Sequence, residues 1–549
     1  MKTICGKIVK VTEKETFNGC ISIENGKIVK IEKSEKEYDN YIVPGLIDPH
    51  VHIESSMLIP EKFAELAIKN GTVAIVTDPH EIANVLGLEG IKFMIENSKN
   101  TPLKIYFMAP SCVPATGFET SGAVINAKDI ETLYRNYPEI LGLAEMMNFP
   151  GVIFGDEEVM RKIEITKKYK KHIDGHAPLL RGENLKKYVE AGIETDHECS
   201  TIEEAIEKIN LGMKIQIREG SAAKDFDALH TLIETHPEQI MFCTDDSHPD
   251  ELIEKGEINK IVKKAIQKGH NIFNILKAAS INAIRHYGLP VGKLEINDPA
   301  DFIIVNNLQD FEIIKTYIDG EEVYNKNIEN QYKNNTISHN INNFKAKKIT
   351  EADIQVKCNK EGSIKINTIL AFDGSLLTKK TVETSNCKNG EIKIDTEKDL
   401  LKLVVYNRYN ENSKPSIAFI KGFNLKKGAI ASTVAHDSHN ILAIGTSDKE
   451  ITKAVNKLIE LKGGLVVSNN EQTDFIQLEV AGLMTSHNGK EIAEKYLQLN
   501  KIAKELGTNF KAPFMTLAFM ALLVIPEIKL SDKGLFDGNK FEFINLIVE

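Results

Sequence analysis

Two histidines separated by one residue, His50 and His52, have the type and spacing of a metal-binding pair. They directly follow Pro49 and the run of residues 43–48, an apolar stretch typical of a buried β-strand. Side chains at positions i and i+2 of a strand point to the same side, so both imidazoles face one place. A pair of surface histidines is the alternative, but the apolar residues before them belong in a core. We therefore predict that His50 and His52 bind a metal ion.

Four more potential ligands each follow a predicted strand later in the chain. They are Glu145, His176, His197 and Asp245. Each one alone is more typical of a hydrogen-bonded or solvated polar residue. Together with the histidine pair they place six imidazole and carboxylate groups at the ends of five predicted strands, which favours one shared site. The donor set suits zinc, manganese or iron and does not select among them.

His172 precedes His176 by four residues, a spacing that would also form a metal-binding pair on a helix. Gly175 and Pro178 argue against a helix there. We therefore expect His172 at the buried start of a strand, away from the site, in a structural role.

The elements that must position the ligands form an alternating pattern of short apolar runs and longer amphipathic segments. The apolar runs are Val43–Asp48, Val73–Asp78, Lys104–Ala109, Glu139–Ala144, His172–Gly175, Ile193–Thr195, Lys214–Ile217 and Ile240–Thr244. Eight such runs alternate with eight connecting segments between about residues 43 and 285, which predicts an α/β fold of the (β/α)8, or TIM, barrel type. The ligands would then lie at the carboxyl ends of the strands, where such barrels place their active sites.

Residues on both flanks of the predicted barrel have β patterning. Apolar runs on either side of Asn25-Gly26 predict a hairpin, and strand-like runs return after residue 291. We predict a small β-sandwich from residues 1–42 and 287–325 and a barrel over 43–286. Residues 326–344, rich in Asn and Lys, form a predicted linker. Residues 345–549 mix strand and helix patterns and predict a C-terminal α/β domain.

Composition and charge exclude several classes of function. Lys and Arg number 68 against 78 Asp and Glu, and the basic runs are scattered, which disfavours nucleic-acid binding. The seven cysteines contain no C-x-x-C pair and indicate reduced thiols in a cytoplasmic protein. We expect no secretory signal. The longest apolar run, residues 514–525, is too short to span a bilayer and is expected to be buried.

Residues 44–52, 279–283, 292–294 and 300–305 resemble the amidohydrolase superfamily of metal-dependent hydrolases. The resemblance covers about residues 1–325 and implies a (β/α)8 barrel with a small β-sandwich. Many members carry a carboxylated lysine on the fourth strand that bridges two metals. Glu145 occupies that place here.

Longer runs narrow the resemblance to the microbial adenine deaminase family. They are residues 77–85, 143–148, 243–249 and 432–440, which extend it over nearly the whole chain. The resemblance implies hydrolysis of adenine to hypoxanthine and ammonia in purine salvage, with adenine and water as the small-molecule partners. It also implies two divalent metal ions, with manganese favoured, iron second and zinc third. We expect a homodimer because closed homo-oligomers are common.

Residue chemistry fits that reaction, because a metal-activated water can attack the ring carbon that bears the amino group. We predict Asp245 rather than Asp246 as metal ligand and proton shuttle, since the first residue after a strand usually points into the barrel mouth. Ring protonation has four candidates near predicted strand ends: Glu81, Glu198, His80 and His248. The sequence does not choose among them, and we carry Glu81 and His248 forward as catalytic candidates.

Four residues are candidates for contact with the substrate. Arg218 either contacts it or makes a loop salt bridge, and Asn84 and Ser247 are equally open between a substrate contact and a structural role. His436 lies in a polar run that on composition alone favours an exposed turn. The family resemblance at residues 432–440 instead implies that His436 contributes to the pocket or its closure.

Two other functions remain open at this stage. Another enzyme of the same superfamily, acting on a cyclic amide or an N-acetyl group, would have a similar barrel, although it should not need the block around His436. A catalytically inactive barrel that serves as a scaffold is the second, and such a protein would be expected to lose some of the ligands.

Overall fold

The structure, a computed structural model, describes residues 1–328, 339–359 and 361–548. Its chain divides into two compact units. The first comprises Met1–His80, Lys92–Cys112 and the described residues from Asn126 to 328. The second comprises Glu81–Ile91, Val113–Ile125 and the described residues from 339 onward. The middle of the predicted linker, residues 329–338, lies outside the described residues.

A seven-stranded sheet is built from both ends of the first unit's described sequence. Its strands are Lys2–Lys10, Glu15–Glu24, Lys27–Lys33, Tyr41–Pro44, Phe302–Val305, Ile313–Ile318 and Glu321–Asn325. The hairpin at Asn25-Gly26 is confirmed, and φ is positive at both residues (50° and 75°), as a two-residue hairpin turn requires. Ile303 pairs with Val43 and joins the two halves of the sheet. The first barrel strand therefore begins after Val43, at Leu46.

Residues 46–246, all of them described, contain eight parallel strands in barrel order. They are Leu46–His52, Thr72–Thr77, Lys104–Ala109, Gly142–Met146, His172–Gly175, Thr195–Asp196, Lys214–Arg218 and Ile240–Cys243. The two-residue strand Asp245–Asp246 continues the eighth and pairs with the first at Val51 and His52. Between the fifth and sixth strands, the Glu194 N–H donates to the Ile173 carbonyl at 2.9 Å. The predicted (β/α)8 fold is confirmed.

Helices alternate with these strands. They are Pro60–Lys69, His80–Leu86, Leu88–Ser98, Ala127–Asn136, Phe149–Phe154, Glu157–Lys168, Gly182–Glu190, Ile202–Asn210, Phe226–Leu229, Leu232–Thr235, Pro249–Glu254, Ile258–Gln267, Ile272–Leu276 and Asn282–Tyr287. A 3-10 turn at Ile53–Ser56 follows the first strand, and a π-helical turn at Lys277–Ile281 joins the last two helices. Apolar residues of the helices, such as Ile261 and Leu276, pack on strand residues such as Ile217 and Phe242.

The second unit has a nine-stranded sheet and a three-stranded sheet within its described residues. The strands are Gly362–Ala371, Thr378–Lys388, Glu391–Ile392, Leu401–Tyr406, Ser416–Lys421, Ala429–Ser432, Ile441–Gly445, Gly464–Ser468, Thr473–Gln477, Ile528–Ser531, Gly534–Asp537 and Glu542–Phe543. Its helices are Asp448–Leu461, Gly489–Glu505 and Pro513–Ala518, with 3-10 turns at Glu351–Ile354 and Phe519–Ala521. Val455 and Leu458 of the first helix pack on Val404 and Val466 of the large sheet. The predicted α/β character of this region is confirmed, and the apolar run from residue 514 begins in a buried helix.

The expectation that every cysteine is a reduced thiol is wrong for four of the seven. Cys5 is disulfide-bonded to Cys20, directly opposite it in an antiparallel pair, and Cys358 is bonded to Cys387. Cys112, Cys199 and Cys243 are buried free thiols. The cysteines therefore no longer support a reducing compartment. The described residues contain no helix with the length and hydrophobicity of a membrane span.

Candidate metal centre

The histidine pair lies at the carboxyl end of the first barrel strand, beside the short strand Asp245–Asp246. His52 Nε2 is 3.1 Å from Asp245 Oδ1 and 3.3 Å from Glu145 Oε1. His50 Nε2 is 3.5 Å from the same Asp245 oxygen. All four side chains are buried. The strand alternation that placed both imidazoles on one side thus directs them at two carboxylates.

Glu145 connects this group to the other two predicted ligands. Its Oε2 is 2.7 Å from His176 Nδ1 and 3.1 Å from His197 Nε2, while its Oε1 faces His52. The rings of His50 and His197 stack with centroids 4.0 Å apart. The structure therefore brings all six predicted ligands into one cluster at the carboxyl ends of the strands.

The hydrogen bonds around the cluster fit a metal ion. His52 Nδ1 lies 3.0 Å from the backbone carbonyl of Asp78, so Nδ1 carries the proton and the Nε2 lone pair faces the carboxylates. His50 Nε2 is buried with no hydrogen-bond partner among the described residues. Lone pairs and carboxylate oxygens that face each other at 3.1–3.5 Å are stabilised by a cation between them. Imidazole and carboxylate are the ligands that divalent transition metals take in such sites.

The two carboxylates of the cluster are ionised. Burial alone would raise the pKa of Asp245, but the adjacent His50 and His52 imidazoles and the positive charge of Arg218 hold it well below its ordinary value. Burial opposes the charged form of Glu145 too, but the facing imidazoles, His176 first and then His197 and His52, together lower its pKa. The cluster thus offers negative charge to a cation.

Three further residues join the cluster, and the sequence reasoning did not place them among the ligands. His80 Nδ1 is 3.0 Å from Asp78 Oδ2 and 3.6 Å from Glu145 Oε1. Glu198 Oε1 is 3.7 Å from His176 Nδ1. Asp78 and His80 follow the second strand with the same i, i+2 spacing as His50 and His52. That repeated spacing indicates a second pair of side chains directed at the cluster.

Arg218 binds three carboxylates. Its Nη1 is 2.9 Å from Asp245 Oδ2, its guanidinium contacts both oxygens of Glu198, and its Nε is 3.0 Å from Asp225 Oδ2. Of the two roles open from the sequence, this geometry is that of a salt bridge. It fixes one oxygen of Asp245 and leaves the other toward the histidines.

The backbone at Asp245 is held in an unusual conformation. Its φ is 57°, in the left-handed region that costs a non-glycine residue free energy and that clusters at functional sites. Asp48 anchors this corner, because its Oδ1 accepts the N–H groups of His50 at 3.2 Å and Thr244 at 3.3 Å. Asp246 faces away and accepts the Ser55 hydroxyl at 2.5 Å. The structure thus turns Asp245, not Asp246, toward the cluster.

The other predicted site residues fall in both units. Ser247 and His248 are buried just after Asp246, and the His248 N–H donates to Ser221 Oγ at 2.9 Å. Asn84 is buried in the second unit, on the helix His80–Leu86, where its carbonyl accepts the Gly122 N–H.

Glu81 and His436, both in the second unit, are hydrogen-bonded to each other. His436 Nδ1 is 2.5 Å from Glu81 Oε1, and His439 Nε2 contacts Glu81 Oε2. His439 Nδ1 accepts the Ala435 N–H, so its proton is on Nε2 and is donated to Glu81. Two imidazoles therefore hold both oxygens of one buried carboxylate. His436 also stacks on Phe519, so the predicted polar turn at 436 is buried and not exposed.

Comparison with known proteins identifies the family. The model of the amidohydrolase family matches residues 41–323, and that of the adenine deaminase C-terminal domain matches residues 375–542. The adenine deaminase of Methanosarcina acetivorans is 51% identical over 554 residues, covering 100% of both chains. The chain belongs to the adenine deaminase family. The adenine deaminases of Sulfurovum sp. and Borreliella burgdorferi are 50% and 47% identical, each over 98% of both chains.

The family assignment confirms the resemblance drawn from sequence motifs. The amidohydrolase match contains all six clustered ligands, and the adenine deaminase C-terminal match contains His436 and His439. Another enzyme of the amidohydrolase superfamily would be expected to match this chain only over the barrel. The full-length match excludes that reading.

Proposed function

We propose that this protein hydrolyses adenine to hypoxanthine and ammonia. The observation that carries the proposal is the full-length similarity to adenine deaminases, at 51% identity with no part of either chain left over. The clustered imidazoles and carboxylates supply the chemistry of a metal-dependent hydrolase, as the amidohydrolase match requires.

We propose that the cluster holds two divalent cations. His50, His52 and Asp245 would hold one, His176 and His197 the other, and Glu145 supplies an oxygen to each group. Manganese is proposed on the family resemblance, because the imidazole and carboxylate donors themselves suit manganese, iron and zinc. The cations, when bound, supply a water molecule whose pKa lies near neutrality.

Asp245 is proposed to carry the proton from water to the departing amine. Its carboxylate is ionised, its Oδ1 faces the cluster, and Arg218 fixes its Oδ2. Water gives its oxygen to the ring carbon and both protons to products, so adenine and water balance hypoxanthine and ammonia. Arg218 acts in this scheme by positioning Asp245.

Protonation of the purine ring is proposed to depend on Glu81, with His248 as the other candidate. Glu81 shares hydrogen bonds with His436 and His439, so its carboxylate has one fixed orientation and a proton can pass along the Glu81–His436 bond. Contacts of Asn84, Ser247 and Arg218 with the substrate stay predictions, as do a cytoplasmic location and a homodimer.

A time course of ammonia release tests the proposal. Manganese-loaded protein is incubated with adenine, and Asp245→Asn protein prepared identically serves as the control. We expect ammonia and hypoxanthine in equal amounts from the wild-type protein and none above background from the variant. Ammonia at the same rate from both preparations would point to a contaminating activity and contradict the proposal.

A further inference from the structure

His172, Glu194 and His286 form a second cluster in the first unit. His172 Nδ1 is 2.6 Å from Glu194 Oε2, and His286 Nε2 is 3.6 Å from the same oxygen. One ligand atom from each residue lies within 4.8 Å of the others. The two imidazole rings have centroids 5.1 Å apart. Two imidazoles and one carboxylate thus converge on one point.

This cluster lies at the opposite end of the barrel from the candidate metal centre. His172 begins the fifth strand and Glu194 precedes the sixth, whereas His176 and His197 follow the carboxyl ends of the same two strands. Four residues of extended chain separate His172 from His176 by about 13 Å. The two clusters therefore share no residue and lie at different ends of the strands.

The second cluster contains a buried ring nitrogen without a hydrogen-bond partner among the described residues. The His286 side chain is only 10% exposed, and its Nε2 has no hydrogen bond to any described residue. Burial, followed by the nearby His172, lowers the pKa of His286 to about 4, so its imidazole is neutral at pH 7 and carries a lone pair on one of its two ring nitrogens. Leaving such an atom buried and unpaired costs free energy, and a ligand at Nε2 would recover it.

The surroundings of the cluster permit a cation. His172 and Glu194 are 29% and 39% exposed, which opens a path from solvent. The nearby Lys171 and Lys214 turn their ammonium groups to the backbone carbonyls of Pro138 and Glu238 instead. Ligand atoms around a tetrahedral zinc ion lie roughly 3.4 Å apart. The 3.6 Å separation between His286 Nε2 and Glu194 Oε2 is close to this value. The exposed Glu194 side chain can move to lengthen its 2.6 Å separation from His172 Nδ1.

We propose that His172, Glu194 and His286 form a second binding site for a divalent transition metal ion, with Zn²⁺ as the representative ion. The site would give a specific form to the structural role expected for His172 from the sequence. A bound ion would join the starts of the fifth and sixth strands to the helix Asn282–Tyr287, on the face opposite the proposed catalytic centre. The ion would therefore stabilise the barrel and take no part in the reaction.

Anomalous diffraction locates the ion directly. Crystals of the manganese-loaded protein are soaked in ZnCl₂, and data are collected on both sides of the zinc absorption edge. We expect a peak among the three side chains, separate from any peak at the catalytic cluster. A soaked wild-type crystal with no peak at His286 would overturn the proposal.

Two variants and a control complete the test in solution. His286→Gln and Glu194→Gln should each bind one zinc ion per chain fewer than the wild type in equilibrium dialysis, with turnover of the manganese-loaded protein unchanged. His487→Gln replaces an exposed imidazole of the second unit and should bind as much zinc as the wild type. Equal zinc binding by wild type, His286→Gln and Glu194→Gln would refute the site.

Discussion

Arg218 Nη1 lies 2.9 Å from Oδ2 of Asp245, and this ion pair fixes the orientation of the carboxylate that faces the histidine cluster. The other oxygen, Oδ1, is 3.1 Å from His52 Nε2. One oxygen of the carboxylate is thereby anchored by Arg218, and the other faces the histidines. The ion pair with Arg218 keeps Asp245 both ionised and fixed in position, as a proton carrier needs.

Substitution of Arg218 distinguishes its two suggested roles. If Arg218 positions Asp245, Arg218→Gln should lower kcat by about 10- to 100-fold while KM for adenine changes little. If it contacts the substrate instead, KM should rise while kcat is retained. Arg218→Lys, which keeps the charge but loses the forked geometry, should fall between the wild type and Arg218→Gln. Steady-state kinetics of the three proteins make this measurement.

Asp245 and its neighbour Asp246 form a matched pair. Asp245→Asn removes the proton carrier and should lower kcat by about 1,000-fold or more. Asp246→Asn leaves the cluster intact, because Asp246 faces Ser55, and should retain activity within about 10-fold. The variant with the larger loss of kcat identifies which aspartate carries the proton. A larger loss from Asp246→Asn would reverse it.

A double-mutant cycle tests whether His436 acts through Glu81. The two side chains are hydrogen-bonded at 2.5 Å, so their substitutions should not be additive. We expect Glu81→Gln and His436→Asn each to lower kcat, and the double variant to be no less active than Glu81→Gln alone. If the fold-loss of kcat in the double variant equals the product of the two single fold-losses, the residues act independently.

The buried carboxyl of Glu119 should make stability depend on pH. Burial, followed by the nearby Asp437 carboxylate, raises the pKa of Glu119 from an ordinary 4.5 to about 8. A raised carboxyl pKa means that the folded state binds more protons than the unfolded state between those values. Stability from this group is therefore present at acidic pH and is lost as pH rises toward 8, by on the order of 4 kcal/mol.

Glu119→Gln removes this dependence. The neutral amide has the same shape, and the hydroxyls of Thr116 and Ser438 that donate to Glu119 can rotate to suit it. Thermal unfolding should show the variant several degrees more stable than the wild type at pH 8.5 and nearly equal to it at pH 5. The same difference at both pH values would contradict the buried ionisation.

The ligand cluster could be predicted because it depends on local rules. Side-chain alternation in strands and the common direction of parallel strands bring His50, His52, Glu145, His176 and His197 to one end of the barrel. Neither rule needs the distances between strands. Asp78 and His80 show the same alternation, although the sequence prediction includes His80 only as a candidate acid.

Contacts between distant segments could not be predicted in this way. Glu81 and His436 are 355 positions apart, and only the folded second unit brings them together. The pairing of Cys5 with Cys20 depends on hairpin register, which a shift of one residue would undo. His286 reaches Glu194 through the packing of a helix on the barrel, a relationship that no sequence spacing encodes.

Isotope labelling of the product tests the central claim most directly. Manganese-loaded protein is incubated with adenine in H₂¹⁸O, and the products are analysed by mass spectrometry. The account predicts hypoxanthine that carries one ¹⁸O atom, with one ammonia released per hypoxanthine. Unchanged adenine, together with hydrolysis of a hydantoin or of dihydroorotate by the same preparation, would contradict it.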